Sequence, residues 1–515
     1  MTETTKEPRF TSSLKWQSVN VTVQVVLQLG FIAALARLIS PDAFGVMAIA
    51  LVVVGFIEIF AQVGIGPALI QNAHISNKHR QTAFIFSLLL GVLFFGGTYA
   101  AAPAVADFYE KPQLTEVLRW IALSFIISGA SVVPRSMLIK EMRFKSLFVS
   151  SAIAMVLGNL IIGLGLAVNG YEIWAYVFAL LSQNAILGIC YWFLFPGPIG
   201  LKMDKGALKE MVGYGGRSTI FNMINYAAGK VDTMIVAKFS TDWRLTGFYD
   251  RSSYLMGLPV TVLGKLGDSV LFSGMSMLQS DKDRLRNTLL KASHAISTLV
   301  IPLTALLVLR AENFTVLILG DQYLEAAPIV SVLFLCVAMR SFIKIGDASM
   351  RATDSLTVGS LIKLGFLVAV CYGVWDVMNS GATDFDNFYL AAGAVVFATV
   401  LQTLAVAAWM WLGLKVNILR LVQSVLPGLV MCLPVFAAEF AMQNEIFDGL
   451  LNWSSGLFSE LDQIVRISLH ITITAIGALV LVLSIPRVLD GGIPEMRKQL
   501  AGKIPISFIS KRLSK

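Results

Sequence analysis

The sequence predicts an all-α integral membrane protein with about 14 transmembrane helices, arranged as two parallel six-helix lobes around a central cavity plus two C-terminal helices. Three observations support this prediction. Of the 515 residues, 56% are hydrophobic and only 14% charged, with a mean hydropathy of +0.74; soluble domains contain about 25% charged residues. Apolar runs of about 20 residues recur along the whole chain. Lysine and arginine concentrate in alternate loops.

The apolar runs define the predicted helices, because a lipid-embedded backbone must satisfy its hydrogen bonds within its own helix. The predicted helices lie near residues 12–39, 42–71, 82–106, 116–136, 146–168, 171–196, 212–238, 244–274, 286–309, 325–349, 355–378, 387–412, 418–441 and 463–486. A polar stripe runs along the first helix and is formed by Gln17, Asn20, Gln24 and Gln28. Since such a stripe has no reason to face lipid, we expect it to line the cavity.

The turn after the first helix is repeated after the seventh. In residues 37–45 and again in 238–247, a cation ends the odd-numbered helix, a short Ser/Asp turn follows, and a glycine begins the next helix. Two such copies predict two repeats in the same orientation, related by an axis normal to the membrane. The predicted divisions are an N-terminal lobe 1–200, a C-terminal lobe 201–412, and a region 413–515 with the last two helices and a basic tail.

The loop charges predict the orientation in the membrane, because cytoplasmic loops are enriched in lysine and arginine. The basic segments are 6–15, 78–80, 135–145, 202–209, 282–286 and 415–420, and the opposite loops contain Asp107, Glu110, Glu116, Asp321 and Glu325. Lys238 and Arg244 are the main exceptions. We therefore expect both termini in the cytoplasm. The basic tail is expected either to lie on the anionic inner leaflet or to be disordered.

Charged side chains within apolar helices are the candidate functional groups. The predicted substrate-binding residues of the cavity are Arg251, Lys230, Arg340, Lys344, Gln24, Gln28 and Asn225. Arginine and lysine bind phosphate at close range, so a cationic cavity favours a pyrophosphate head group. The alternative is that these cations form internal pairs, such as Lys344 with Asp347, or extend to the membrane surface.

Glu58 and Asp232 are the candidate ion-coupling residues, because an intramembrane carboxylate can take up and release a proton as the cavity opens to each side. The alternative is a hydrogen bond to a neighbouring helix. The runs 64–67 and 257–259, together with Pro302, provide places where helices can bend, which suits a rocking motion of one lobe against the other.

Three stretches resemble the polysaccharide exporters of the Wzx type, in the superfamily that also contains the peptidoglycan-precursor flippase and the multidrug/cation antiporters. They are residues 35–71, beginning LARLISPDAFG; residues 230–254, KVDTMIVAKFSTDWRLTGFYDRSSY; and residues 270–286 with the later segment ILGDQYLEAAPIV. One departure is Ser273, where the family pattern has a proline.

The resemblance implies a flippase that moves a polyprenyl-pyrophosphate-linked oligosaccharide repeat unit from the cytoplasmic to the outer leaflet of the bacterial inner membrane, by alternating access, for exopolysaccharide or lipopolysaccharide export. It also implies contact with membrane lipids and with a polysaccharide polymerase and export machinery. The peptidoglycan-precursor flippase has a cationic lumen with arginines on its first, second and eighth helices. Arg251, after Gly247 and Tyr249, corresponds to the last, whereas the first two helices here contain glutamines and Glu58.

Two other functions fit a membrane-embedded chain. A cation-coupled, multidrug-type exporter of small molecules is one, although the cationic second half would repel organic cations. A membrane glycan polymerase or ligase is the other, but the loop 442–462 contains no histidine and is short for a catalytic site. The four histidines have no metal-binding spacing, the four cysteines lie within apolar runs, and no nucleotide-binding motif is evident. We expect a transporter without cofactor, metal or nucleic-acid partner.

Overall fold

The computed structural model describes residues 7–61, 65–71, 75–196, 203–212, 223–267, 275, 281–353, 355–380 and 384–443. Within these ranges the regular structure is helical throughout and includes no strand, which confirms the predicted class. The predicted last helix at 463–486, the basic tail and the loop 444–462 lie outside the described residues, as do Gly64, Asn222, Asp268 and Ser273.

The helices follow the apolar runs of the sequence. The first ten are α1 Glu7–Leu38, α2 Pro41–Ala61, α3 Ile65–Gln71, α4 Asn77–Phe108, α5 Gln113–Ile121, α6 Leu123–Lys140, α7 Phe144–Ala154 continued by the π-helix Met155–Gly163, α8 Leu164–Val168, α9 Glu172–Leu194 and α10 Lys205–Val212. The others are α11 at 223–228, α12 Val231–Phe239, α13 Trp243–Gly267, α14 Lys282–Leu309, α15 Ala311–Leu319, the 3₁₀ helix Asp321–Ala326, α16 Ala327–Phe334, α17 Cys336–Ala352, α18 Leu356–Met378, α19 Asp384–Leu412, α20 Ile418–Val430 and α21 Cys432–Gln443.

In the described part of the chain, nine helical stretches are long and apolar enough to cross a membrane, and a tenth candidate is a bent pair. The nine are Pro41–Ile59, Asn77–Phe108, Gln113–Lys140, Phe144–Val168, Glu172–Leu194, Lys282–Leu309, Leu356–Met378, Phe385–Leu412 and Ile418–Phe440. The bent pair joins Asp321–Phe334 to Cys336–Ala352 at 41°. These spans establish a multi-pass membrane protein, and the total of about 14 stays a prediction.

The first predicted span is described by its side chains only from residue 23, and the helix Val23–Leu38 is apolar. The predicted span at 244–274 is less apolar because it contains charged groups of interest. In α13, Arg244, Asp250 and Arg251 interrupt the hydrophobic pattern. Apolarity alone therefore undercounts the helices that the sequence marks as functional.

The prediction of one unbroken helix at 212–238 is wrong. Residues 223–228 are helical, Gly229 and Lys230 form a turn, and α12 starts at Val231. Glycine is a poor residue inside a helix, and the Gly229 N–H is shared between Asn225 O at 3.2 Å and Tyr226 O at 3.1 Å. The break leaves Lys230 outside the regular helices with φ −135°.

The described chain forms two compact units. Unit 1 comprises Met1–Leu258, Ile318–Val330 and Ser360–Ala398, and unit 2 comprises Pro259–Leu317, Ser331–Gly359 and Thr399–Lys515. The lobes 1–200 and 201–412 and the region 413–515 are a different division, based on the sequence repeat, and stay a prediction.

Unit 1 contains a tight helix pair formed by α4 and α6. Gly91 faces the backbone carbonyl of Phe125, and Gly129 faces the carbonyl of Ser87. The Ser87 hydroxyl also donates to Gly129 O at 2.7 Å. Small residues at such contacts allow helix backbones to approach closely within a membrane, where packing rather than water drives association.

Unit 2 attaches α20 and α21 to α14. Gly428 lies against the backbone of Ser297, and the Ser297 hydroxyl donates to Ser424 O at 2.5 Å. Arg310 and Glu439 form an ion pair at 2.8 Å, with side chains only 14% and 13% exposed. The helices α20 and α21 are thus fixed to the preceding part of unit 2 by packing and by charge.

We expect Gly91→Leu to lower the free energy of unfolding by about 1 to 3 kcal/mol, because the new side chain would force α4 away from the Phe125 backbone. Gly97→Leu is the matched control, since it lies in the same helix and no atom lies within 4 Å of its Cβ position. Unfolding of both variants in detergent would be compared with the parent. Equal destabilisation by the two changes would contradict the backbone contact.

Candidate functional site

The two copies of the repeated turn meet in unit 1. A Cβ added at Gly45 would collide with Trp243 O, and a Cβ added at Gly247 would collide with Pro41 O. Each copy therefore presents its glycine to the backbone of the other, and only glycine permits this approach. We call this contact between residues 37–45 and 238–247 the motif junction.

Two cations bind backbone carbonyls beside the motif junction. Arg37 Nη1 donates to Ile318 O at 3.2 Å, near the C-terminal end of α15. Lys238 Nζ donates to Phe108 O, at the end of α4, at 2.7 Å and to Glu110 Oε1 at 3.0 Å. The carbonyls at helix C-termini have partial negative charge, so a cation stabilises them.

Further hydrogen bonds, an ion pair and an aromatic contact lie around the motif junction. Ser40 donates through its backbone N–H and its hydroxyl to Glu172 Oε2, at 2.9 and 3.0 Å. Arg244 pairs with Glu325 at 3.2 Å. Tyr109 is buried edge-on against Trp243, with ring centroids 6.4 Å apart, and burial raises the pKa of its phenol to about 12. Lys238 and Arg244, the two exceptions to the loop-charge pattern, thus each have an acidic partner.

The two glutamates that contact Lys238 and Ser40 at the motif junction have left-handed backbone conformations. Glu110 has φ 56° and Glu172 has φ 42°. Such a conformation costs a non-glycine residue about 1 to 2 kcal/mol. The contacts to Lys238 and Ser40 therefore hold the two loops in a conformation that their own backbones disfavour.

A charged triad lies within the helices of unit 1. Arg251 Nε donates to Asp250 Oδ2 at 3.0 Å, its Nη2 also binds that oxygen, and Lys230 Nζ lies 3.8 Å from Asp250 Oδ1. Arg251 and Asp250 are each 4% exposed, whereas the Lys230 side chain is 38% exposed. The guanidinium is covered by aromatic rings, at 4.6 Å from Phe44 and 5.1 Å from Tyr254. One carboxylate thus serves two cations, which leaves the triad with a net positive charge.

Asp232 lies on α12 and is 5% exposed. Its Oδ2 accepts a hydrogen bond from the Tyr249 hydroxyl at 3.1 Å. Among the described residues, no hydrogen-bond donor reaches its Oδ1. The break at Gly229 and Lys230 places this carboxylate in the first turn of α12, where helix N–H groups favour negative charge.

Asn225 is exposed on α11, and its Oδ1 accepts a hydrogen bond from Lys363 Nζ at 2.6 Å. Lys363 is only 5% exposed. The neighbouring Tyr226 donates to the carbonyls of Leu51 and Val52, both at 3.2 Å, and so fastens α11 to α2.

The other predicted site residues are placed as follows. Gln24 is half-buried and Gln28 exposed on α1, and Glu58 is half-buried on α2, all in unit 1. Arg340 and Lys344 are half-buried on α17 in unit 2, where the alkyl chain of Lys344 lies beside Gly264. The structure brings together Arg251 and Lys230 on Asp250, and it places Asp232 and Asn225 on the adjoining helices.

Some residues of the site were not predicted. Phe44 and Tyr254 cover Arg251, and Gln322 donates to Ile39 O at 3.1 Å. All three lie within the stretches that carry the family resemblance, which is the sequence signal that could have found them. As for metals, the described histidine, cysteine and acidic residues contain no group of three that can hold an ion.

Comparison with known proteins gives a coherent set of similarities. The family model described as polysaccharide biosynthesis protein matches residues 34–328. The succinoglycan biosynthesis transport protein ExoT of Rhizobium meliloti (strain 1021) is 25% identical over 443 residues, which cover 79% of this chain and 87% of ExoT. The lipopolysaccharide biosynthesis protein WzxC of Escherichia coli (strain K12) is 21% identical over 337 residues, which cover 64% of this chain and 67% of WzxC.

A solved structure shares the fold at a lower level of sequence identity. It is that of the lipid II flippase MurJ in an inward closed conformation, with a TM-score of 0.69 and 12% identity. The match covers 91% of this chain and 98% of that chain. The similarity establishes that this chain shares the fold of that protein.

Asp250→Ala is expected to destabilise the protein by about 3 kcal/mol or more, because it leaves the buried Arg251 charge without its carboxylate. Lys230→Met should cost much less, since this side chain is half-exposed and lies farther from Asp250. Thermal unfolding in detergent distinguishes the two. A smaller effect for Asp250→Ala than for Lys230→Met would show that the triad is not the stabilising interaction.

Proposed function

Because the chain belongs to the polysaccharide biosynthesis protein family, we propose that it flips a polyprenyl-pyrophosphate-linked oligosaccharide from the inner to the outer leaflet of a bacterial inner membrane. The chain is a multi-pass membrane protein that shares its fold with a lipid II flippase. The relative ExoT is a succinoglycan biosynthesis transport protein, and this supports the proposed class of substrate.

The observation on which the proposal depends is the net-positive triad. A pyrophosphate has roughly two to three negative charges and binds best to arginine and lysine in a region of low dielectric. Lys230 is the exposed member of the triad and is the group that would contact the phosphate first. Arg251 would add positive charge, although aromatic rings cover its guanidinium. The side-chain amide of Asn225 would donate a hydrogen bond to the phosphate beside these two cations.

The other predicted cavity residues complete the proposal. Gln24 and Gln28 on α1 offer amide groups that hydrogen-bond well to sugar hydroxyls. Arg340 and Lys344, which lie in unit 2, are proposed as further substrate-binding cations. An exporter of organic cations would have to place its substrate beside Arg251 and Lys230, and charge repulsion opposes this.

For orientation, we propose that the motif junction lies at the outer end of the helices and that both termini are cytoplasmic. The loops around the junction belong to the acidic set of the sequence, and basic loops are retained in the cytoplasm. The close contact of Gly45 with Gly247 and its neighbours then corresponds to a state closed toward the outside. Alternating access would require this contact to open.

Asp232 and Glu58 are the proposed coupling carboxylates. Asp232 is the stronger candidate, because one oxygen is held by Tyr249 while the other has no donor among the described residues. An oxygen of this kind can accept a proton or a cation from the cavity and release it after the cavity opens on the other side.

We expect Lys230→Ala to slow flipping about tenfold, the cost of losing one charge-assisted contact to phosphate. Proteoliposomes containing a labelled lipid-linked oligosaccharide would report its appearance in the outer leaflet. Lys230→Arg should retain most of the rate, and the exposed Lys291→Ala serves as a control cation. Transport at the parent rate in both Lys230→Ala and Arg340→Ala would exclude this binding site.

Asp232→Asn should abolish the dependence of transport on an imposed pH or Na⁺ gradient while leaving the folded yield intact, since asparagine keeps the shape and a hydrogen-bonding oxygen but cannot be charged. The same proteoliposome assay, run with and without each gradient, measures this effect. If the variant responds to the gradients as strongly as the parent, Asp232 is not the coupling residue, and Glu58→Gln becomes the next test.

A further inference from the structure

We propose that Arg37 and Lys238 form a two-part latch that keeps the motif junction closed toward the outside. This inference rests on the proposed function for its orientation and for the existence of an open state. Each cation holds one side of the junction, and both contacts have to break before the cavity can open outward.

The two cations occupy equivalent positions in the sequence repeat. Arg37 is next to the last residue of α1, and Lys238 is next to the last residue of α12. Each binds a carbonyl that belongs to the other predicted lobe: Arg37 reaches Ile318, and Lys238 reaches Phe108. Each predicted lobe thus provides one cation to a carbonyl of the other lobe, and the two glycines contact the backbone of the other lobe in the same reciprocal way.

The receiving groups suit a cation in both cases. Phe108 is the last residue of α4, and Ile318 is the penultimate residue of α15, so both carbonyls lie at the negative end of a helix. The segment after α15 also returns a donor, because Gln322 Nε2 binds Ile39 O at 3.1 Å and Ala36 O. The end of α1 and the residues 318–322 therefore exchange hydrogen bonds in both directions.

The exposure of these groups favours a latch over a permanent brace. The Lys238 side chain is 32% exposed and that of Glu110 is 82% exposed, so water can replace each partner as the contact opens. Glu110 also has a left-handed backbone, which the Lys238 contact helps to hold. By contrast, the ion pair of Arg310 with Glu439 in unit 2 is buried on both sides and would be costly to separate.

The proposal also explains why Lys238 departs from the charge pattern of the outer loops. A cation on the outer side opposes the retention of basic loops in the cytoplasm. Lys238 neutralises the negative end of α4 and pairs with Glu110, and these two contacts account for a cation on the outer side. Arg244, the second exception, binds Glu325 within the same predicted lobe and therefore does not close the junction.

The test measures closure directly, without transport. All four native cysteines are replaced by alanine, and one cysteine is introduced as Asn225→Cys, at an exposed position about 20 Å along the helices from Lys238. Right-side-out membrane vesicles are treated with a membrane-impermeant maleimide. In this background Lys238→Ala and Arg37→Ala should each speed labelling about tenfold, the effect on a two-state equilibrium of losing one hydrogen bond to a charged group.

Arg244→Ala is the matched control, because it removes an outer cation and an ion pair without breaking a contact between the predicted lobes. It should label at the parent rate. Lys238→Arg retains a charged donor and should also stay near that rate. Where the alanine variant does not accumulate as folded protein, Lys238→Gln replaces it and should give an intermediate rate.

Faster labelling in both latch variants with an unchanged Arg244→Ala supports the proposal. Unchanged labelling in Lys238→Ala and Arg37→Ala overturns it, and so does an equal rise in Arg244→Ala. The proteoliposome assay is run in parallel on the protein with its native sequence, which retains Asn225. If this protein moves no lipid-linked oligosaccharide while the latch variants still label faster, the substrate proposal fails and the latch stands.

Discussion

The constraint on which unit 1 depends is that lipid offers no hydrogen bonds and no counter-charge, so every polar group among the helices must find its partner in the protein. Asp250 meets this need for two cations at once. Its carboxylate binds Arg251 closely and Lys230 at longer range. Without it, an arginine that is 4% exposed would be a buried, uncompensated charge. The same arrangement leaves one positive charge in excess, which makes a structural pair also an attractive environment for a phosphate.

The same constraint applies to the backbone carbonyls at the helix ends, and there it is met by cationic side chains. Carbonyls at the C-termini of α4 and α15 have no partner within their own helices, and Lys238 and Arg37 supply one. The glycines of the repeated turn bring the two copies close enough for these side chains to reach. Close backbone packing and charge-to-carbonyl contacts therefore support each other at the motif junction, and the left-handed conformations of Glu110 and Glu172 are held by the same contacts.

The intramembrane charges of unit 1 are unevenly distributed along the sequence. The first two helices contain glutamines and Glu58, whereas Lys230, Asp232, Asp250, Arg251 and Lys363 lie on α12, α13 and α18 or beside them. A head group bound here would be held by the second half of the sequence, and the polar stripe of α1 would be left for uncharged groups such as sugars. This division of roles follows from charge and hydrogen-bonding capacity alone.

The sequence by itself determined the helical membrane fold, the positions of most spans and the repeated turn, and it marked the polar residues of the candidate site, because burial in lipid permits only long apolar helices and makes every interrupting charge visible. Only the tertiary structure decided which charges meet. That Lys230 shares Asp250 with Arg251, that Phe44 and Tyr254 cover the guanidinium, and that Gly45 faces Trp243 depend on contacts between segments far apart in the chain. Such contacts leave no periodic pattern, since an aromatic or a glycine in an apolar helix looks the same whether it faces a neighbour or the lipid.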